Sequence, residues 1–227
     1  AELATAGLPA YSLALDWPEL AVVATSPELF LGQSPGGLVW TSPIKGTRPR
    51  HPDLATDAAL ARELDEDPKE IAELTMIIDV ERNDLGRLAL PGSVRLRGAP
   101  ELEAHASVHH RVATIEARLR PGVGRHELLS AMLPSGSVSG APKVRAMEII
   151  AELEAHRRGL YTGAFGVITH DGSLELGMAI RTLSIAGDHA DYFSGGGIVA
   201  DSVPEREVEE TLWKARPYLA LAARGAR

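Results

Sequence analysis

Lys45 lies in Pro43-Ile44-Lys45-Gly46-Thr47, between an extended Pro-Ile pair and a Gly-Thr turn. That setting projects a primary amine from a constrained loop, and such an amine can act as a covalent nucleophile once it has shed its proton. A solvated loop lysine is the plainer alternative. Glu207, Glu210 and Lys214 stand three and four positions apart, which puts them on one face of a helix. Two carboxylates one turn apart can offer oxygens to a hard cation such as Mg²⁺, which shares its coordination sphere with substrate oxygens. The same spacing also suits a surface helix with a Glu210–Lys214 pair. Glu73, in Ile71-Ala72-Glu73-Leu74, could add a metal oxygen from a second helix, or be one more exposed glutamate.

Further blocks suit an anionic ligand. Gly136-Ser137-Val138-Ser139-Gly140-Ala141-Pro142-Lys143 is a small-residue loop feeding a helix, where N–H groups could receive a carboxylate. Its glycine spacing and the place of Lys143 do not make a phosphate P-loop, and a plain capped helix reads equally well. Ser194-Gly195-Gly196-Gly197-Ile198-Val199-Ala200 satisfies a dinucleotide pattern on paper, but it follows hairpin strands and no helix starts within it. Three glycines in a row allow the backbone to approach a ligand closely, or make a sheet corner. Arg181 breaks an apolar run; it is a carboxylate clamp or an outward-facing strand residue. His109-His110 has no metal-type spacing, and one of the two can sit in the core.

These residues need elements to position them. Ala10–Leu15, Leu20–Ala24 and Leu38-Val39-Trp40-Thr41 read as strands of a meander that ends at the lysine loop. Asp53–Asp84 reads as mainly helical, with Ile71, Leu74, Ile77, Ile78 and Leu85 at helical spacing. Val94–Arg97 is a short strand, and periodicity leaves Val108–Ile115 open between strand and helix. Arg125–Met132 and Pro142–Glu154 are helices, the second opened by a proline. Gly163–Thr169, Leu174–Ile185 and His189–Phe193 are strands joined by turns at Asp171-Gly172 and Gly187-Asp188, and Glu205–Ala223 is a terminal helix. Strands at both ends with helices between predict an α+β fold and one domain over residues 1–227.

The whole chain sets limits on function. Its 227 residues are 44% hydrophobic and 24% charged, as in ordinary globular proteins. No apolar run approaches the roughly 18 residues of a membrane span, and no signal peptide is visible. The absence of cysteine excludes disulfides, thiolate catalysis and zinc-thiolate sites, and predicts a cytoplasmic address. A formal charge of −8 argues against nucleic acid as a general partner. An acidic chain that binds an acidic substrate needs a metal ion or a few placed cations to reverse the field locally.

Together the blocks resemble the chorismate-utilising enzymes, component I of anthranilate synthase and of aminodeoxychorismate synthase, with isochorismate and salicylate synthases as cousins. The resemblance runs from Ser26-Pro27-Glu28 through Pro43–Thr47, Glu73–Arg87, Gly136–Glu148, Tyr161–Gly166, Ile180–Leu183 and Gly195–Lys214. It implies two antiparallel sheets packed face to face with helices around them. It implies magnesium carboxylates at Glu73 and Glu210, with Glu207 reaching the ion through water. Arg181 and Lys214 would hold substrate carboxylates, and Tyr161 with the Gly195, Gly196 and Gly197 backbone would cradle one. Ser139 and Gly140 fall in the loop expected to meet substrate. Glu28 would protonate the departing ring hydroxyl, and His110 matches the family's active-site histidine.

Within that family, anthranilate synthases resemble Pro-Ile-Ala-Gly-Thr where aminodeoxychorismate synthases resemble Pro-Ile-Lys-Gly-Thr, and this chain has Lys45. The resemblance therefore implies Mg²⁺-dependent amination of chorismate at C4, with Lys45 as the covalent nucleophile. Ammonia would come from solution or a separate glutamine amidotransferase, since a chain without cysteine has no glutaminase thiol. Anthranilate synthesis is the alternative within the family. A chorismate-binding fragment without turnover is the alternative outside catalysis. Family members also carry a long region before the Ser-Pro-Glu motif, whereas about two dozen residues precede Ser26 here, so the chain reads as the C-terminal portion of a longer one.

Overall fold

The computed structural model describes residues 9–200 and 202–225; the ends of the expected 1–227 domain lie outside the described residues. The chain begins with β1 (Tyr11–Asp16), β2 (Ala21–Ser26), β3 (Leu29–Gln33), β4 (Leu38–Ser42) and β5 (Ile44–Pro49). Then come α1 (Leu54–Glu66), α2 (Pro68–Gly86), β6 (Arg95–Leu96), β7 (Glu101–Ala104), β8 (Val108–Val112) and β9 (Ile115–Arg118). After them stand α3 (Arg125–Met132), α4 (Gly136–Ser139) and α5 (Lys143–Leu153). The last third holds β10 (Ala164–Ile168), β11 (Leu174–Met178), β12 (Thr182–Ala186), β13 (His189–Tyr192) and α6 (Pro204–Gly225). The α+β class with antiparallel sheets stands, and a third, three-stranded sheet is added to the two expected.

The fold divides into two compact units. One is made of Ala1–Pro27, Ala155–Gly166 and Gly177–Arg227. It holds the sheet β1-β2-β12-β13, with Thr182 opposite Ala24 and Leu183 opposite both Val23 and Tyr192. Alternate residues of β2 are buried, so Val22 and Ala24 face the core, as period-2 patterning demands. In α6, Tyr218 is buried and its hydroxyl lies 2.7 Å from that of Thr25.

The other unit is Glu28–Glu154 with Val167–Leu176. It contains the run β3-β4-β9-β6 of the six-stranded sheet, which residues 167–176 extend through β10 and β11, and the separate sheet β5-β8-β7. Its core is built on Phe30, Leu31, Leu74, Ile77, Ile115 and Leu128, all at most 1% exposed. Of the residues at helical spacing, Leu74, Ile77 and Leu85 are buried while Ile71 is exposed.

Two local expectations are corrected and one is refined. Asp53–Asp84, expected as mainly helical, is two helices. Asp67 ends α1 and caps α2, its side chain accepting from the N–H groups of Lys69 at 2.9 Å and Glu70 at 3.3 Å, with Pro68 at the first turn of α2. Leu174–Ile185 is two strands in different sheets. They part at Arg181, whose φ of 51° is left-handed, so Arg181 stands at the break and not within a strand. Lys45 lies in β5 and not in a loop. Val108–Ile115, left open by periodicity, is strand: β8, then the start of β9.

The lysine position follows from Gly46. The pairing of β5 with β8 slips between Lys45 opposite Arg111 and Thr47 opposite His110, leaving Gly46 as the extra residue of a β-bulge. Gly46 has φ 78°, and a Cβ there would meet Leu64 Cδ1 at 2.5 Å. Left-handed backbone and lack of room both call for glycine.

Candidate functional site

The candidate residues are shared between the two units, and each set is built within its own. In the larger unit the bulge re-aims the residues beside it. Lys45 is half-buried, and its Nζ donates to the carbonyl of Ser137 at 3.0 Å. His110, 2% exposed, places Nδ1 3.1 Å from the Thr47 hydroxyl and 3.4 Å from the Gly46 carbonyl. With Nδ1 protonated, that ring donates to the carbonyl; unprotonated, it accepts from the hydroxyl. His110 is thus tied to the glycine bulge on β5, while the Lys45 amine beside the bulge is tied to the Ser137 carbonyl. Glu28 begins the unit just ahead of β3 and is 5% exposed, and Glu73 on α2 is 8% exposed. Both are too enclosed to be ordinary surface glutamates. Lys69 Nζ stands 3.7 Å from Glu73 Oε1.

The turn that receives Lys45 is itself tied down. Gly136–Ser139, expected as a loop, is a single helical turn capped by the Ser135 hydroxyl, which accepts from the Ser137 N–H at 3.1 Å. The Ser139 N–H donates to Ser135 O at 3.1 Å, the Gly140 N–H to Gly136 O at 3.1 Å, and the Ser139 hydroxyl to Ser135 O at 2.7 Å. Both N–H groups of Ser139 and Gly140 are thus spent inside the turn, which removes the simplest way for this segment to bind an anion. What holds the turn is Glu81 of α2. Its Oε1 accepts from the Ser135 hydroxyl at 2.7 Å and the Gly136 N–H at 3.1 Å. Gly136 lets the turn sit this close, since a Cβ there would meet Val80 Cγ1 at 2.4 Å.

In the smaller unit six of the expected residues come together. The Gly195 carbonyl accepts from Lys214 Nζ at 2.9 Å, and Lys214 Nζ also pairs with Glu210 Oε1 at 2.6 Å. A Cβ on Gly195 would lie 3.0 Å from the Tyr161 hydroxyl. A Cβ on Gly196 would lie 3.0 Å from Glu207 Oε2 and 3.9 Å from Glu210 Oε1. The glycine run therefore makes room that a carboxylate pair and a phenol look into, with Gly197 following at the surface. Tyr161 is held by stacking on Phe193, centroids 5.7 Å apart at 17°.

Arg181 belongs to the same unit. Its carbonyl accepts from the Thr25 N–H at 3.1 Å and the Tyr218 hydroxyl at 2.6 Å. Tyr192 stacks on Tyr218 at 4.0 Å and donates to the Lys214 carbonyl at 3.0 Å. Burial, more than any charge, pushes both phenols above their ordinary pKa, so they remain donors.

The fold-family expectation of a magnesium ion can be tested against these donors. Among the described residues no group of three or more His, Asp or Glu side chains gathers as a metal cluster. Glu207 and Glu210 nevertheless turn oxygens toward the space over Gly196, and paired carboxylates are the donors a hard divalent cation takes. The pair fits the ion, and Glu73 is a buried carboxylate of the other unit.

Sequence reasoning missed Glu81, Ser137, Thr25 and Tyr218. Tyr218 carried a signal: it stands four residues beyond Lys214, continuing the face of Glu207, Glu210 and Lys214.

The family model for chorismate binding enzymes matches residues 2–220. The chain is 48% identical over 205 residues to anthranilate synthase component 1 of Thermus thermophilus, covering 90% of this chain and 44% of that protein. It is 42% identical over 205 residues to aminodeoxychorismate synthase component 1 of Bacillus subtilis, covering 90% of this chain and 43% of that protein. The crystal structure of anthranilate synthase component I from Streptococcus pneumoniae superposes with a TM-score of 0.84 at 37% identity, over 95% of this chain and 47% of that one. The chain thus spans less than half the length of these relatives.

Proposed function

The chain belongs to the chorismate-binding enzyme family, and from that premise we propose that it aminates chorismate at C4, giving 4-amino-4-deoxychorismate. The observation that carries this reading is the setting of Lys45. Its amine is half-buried beside a glycine bulge, with the neutral carbonyl of Ser137 as its partner, in the same unit as Glu28 and His110. A lysine that merely decorated the surface would need no contact with the tethered turn.

In the proposed reaction the uncharged Lys45 amine attacks C2, the two conjugated ring double bonds shift, and the C4 hydroxyl departs as water with a proton from Glu28. Ammonia then attacks C4, both double bonds shift back, and Lys45 is expelled as an amine. The net change replaces hydroxyl by amino and releases one water. Arg181 and Lys214 hold substrate carboxylates, and Tyr161 with Gly195, Gly196 and Gly197 shapes the surface against one of them. Glu73, Glu207 and Glu210 would hold Mg²⁺, which neutralises carboxylate charge on the substrate when bound. Ammonia comes from solution or from a separate glutamine amidotransferase. The proposed catalytic region is 1–227, with a cytoplasmic address. No described helix is long and apolar enough to cross a membrane.

The second reading is anthranilate synthesis, favoured by the higher identity to the Thermus thermophilus relative. One incubation separates them. With chorismate, ammonium and Mg²⁺, the proposed activity yields a product that keeps its enolpyruvyl group, whereas anthranilate appears together with free pyruvate. Without ammonium, intact-protein mass spectrometry should find a covalent adduct that is lost in Lys45→Ala. Anthranilate plus pyruvate, with no adduct, would overturn the first reading in favour of the second. Binding without turnover would leave a chorismate-binding fragment.

A further inference from the structure

The Lys45 amine rests on a carbonyl of a turn that is itself held by a carboxyl group to which the proposed chemistry gives no task. Glu81 is fully buried on α2. One oxygen takes the Ser135 hydroxyl and the Gly136 N–H, at 2.7 and 3.1 Å. The other, Oε2, is buried with no hydrogen-bond partner. Two residues further along, the Ser137 carbonyl accepts from Lys45 Nζ at 3.0 Å. The chain of contacts from Glu81 through the Ser135–Ser139 turn to Lys45 is unbroken and lies within one unit.

We propose that Glu81 is a positioning residue for Lys45, acting through the Ser135–Ser139 turn. The functional meaning of this inference rests on the reading of Lys45 as a nucleophile; the contact chain does not. A surface glutamate with two hydrogen-bonded oxygens would be an ordinary helix residue. A fully enclosed one with a single engaged oxygen carries a cost, and the tethering of the turn is what it provides in return.

The charge state of Glu81 then matters. Burial pushes its carboxyl up to about 7, partly offset by the Ser135 hydroxyl and the nearby Lys143 ammonium. Asp84 on the same helix and Glu28 ahead of β3 push it further up. Lys143, from α5, is the cation that faces it, and Lys143 is paired with Asp84 at 2.5 Å. Ionised Glu81 is therefore a third carboxylate beside two, in a space with little water to screen it. Protonated Glu81 keeps both acceptor contacts to the turn without that repulsion. The Ser135 hydroxyl favours the ionised carboxylate, so the hold of Glu81 on the turn tightens as pH rises through about 7, against the repulsion from Glu28 and Asp84.

The test reads the amine directly and needs no turnover, so its failure is distinct from failure of the proposed reaction. The full chain is treated with trace acetic anhydride between pH 6 and 9. Peptide mass spectrometry then gives acetylation of Lys45 relative to Lys69, a ratio in which the common pH dependence of amine reactivity largely cancels. In the native protein the Lys45 ratio should fall as pH passes neutrality. In Glu81→Gln, which keeps the acceptor oxygen and cannot ionise, it should stay at its pH 6 level across the range. In Ser135→Ala, which removes one contact to the carboxyl, it should be raised about fivefold even at pH 6, the shift that loss of one ordinary hydrogen bond carries. Glu81→Leu should behave like Ser135→Ala; should it not fold, Glu81→Gln and Ser135→Ala still decide. Identical Lys45 profiles in the native protein, Glu81→Gln and Ser135→Ala would overturn the proposal. So would a Glu81→Gln ratio raised above the native one at pH 6, since the neutral acceptor would then not hold the turn.

Discussion

The Tyr218 hydroxyl donates to the main-chain carbonyl of Arg181 at 2.6 Å, joining residues 37 positions apart within one unit. Arg181 has φ 51°, a conformation that costs a residue with a side chain about 1–2 kcal/mol. The carbonyl is pinned from two sides, by Tyr218 and by the Thr25 N–H at 3.1 Å. Those two donors hold the strained backbone where β11 gives way to β12.

Tyr218→Phe should therefore cost about 1–3 kcal/mol of stability, the net value of two hydrogen bonds, to Arg181 and Thr25, with the ring stacking on Tyr192 retained. If Arg181 holds a substrate carboxylate, the same change should raise KM for chorismate more than it lowers kcat, because the guanidinium is displaced rather than removed. Urea unfolding and steady-state kinetics check the two parts. A variant equal to the native protein in both would show that the hydroxyl does not hold Arg181.

The room over Gly196 yields a prediction that needs no change to any charged residue. A methyl group there would sit 3.0 Å from Glu207 Oε2, closer than ordinary contacts. Gly196→Ala should displace the carboxylate pair, weakening Mg²⁺ binding while the fold persists. The measurement is activity against Mg²⁺ concentration, with circular dichroism as the control for folding. The curve should move to higher Mg²⁺, and Glu210→Gln should move it further because it removes a charged oxygen. An unchanged Mg²⁺ dependence in both variants would take the helix face out of the metal site.

Much of this was legible in the sequence, for identifiable reasons. The hairpin turns at Asp171-Gly172 and Gly187-Asp188 declare themselves, because few other residue pairs suit such backbones. The α6 face of Glu207, Glu210 and Lys214 was readable because helical spacing is rigid. The strand break at Arg181 was not, since Ala179-Ile180-Arg181-Thr182 has no glycine or proline and the strain is held by Thr25 and Tyr218 from distant positions. The two-helix structure of Asp53–Asp84 was marked by Asp67-Pro68, but the apolar period runs on beyond it and masks the break. Glu81 left no trace, because a glutamate on a helix ordinarily faces water. Only the packing of α4 against α2 reveals what it holds.

Two buried carboxylates should respond to pH with opposite signs. Asp57, 8% exposed, accepts from Arg50 Nε at 2.9 Å, the His51 N–H at 2.9 Å and His109 Nε2 at 3.0 Å. The Arg50 guanidinium, then the His51 N–H, hold its carboxyl well below the usual range. A depressed pKa in the folded state contributes stability above the unfolded value of about 3.9 and loses it as pH falls below. Asp57→Asn should thus be less stable than the native protein at neutral pH, and the gap should narrow below about pH 4. Urea midpoints across the acid range check this; a gap independent of pH would assign the loss to packing.

For Glu81 the sign reverses. Its folded pKa is raised from 4.5 to about 7, so the folded state binds the proton more tightly than the unfolded chain. Stability from this group is fully present below about 4.5 and is lost as pH rises to about 7. Glu81→Gln carries no such term. Subtracting one unfolding curve from the other removes the other titrating groups common to both proteins. The stability of Glu81→Gln relative to the native protein should therefore climb between pH 4.5 and about 7 and level off above. Thermal or urea unfolding at half-unit pH steps gives that difference directly. Parallel curves through this window would mean that Glu81 ionises in the folded protein without penalty, and the account of its burial beside Glu28 and Asp84 would fail.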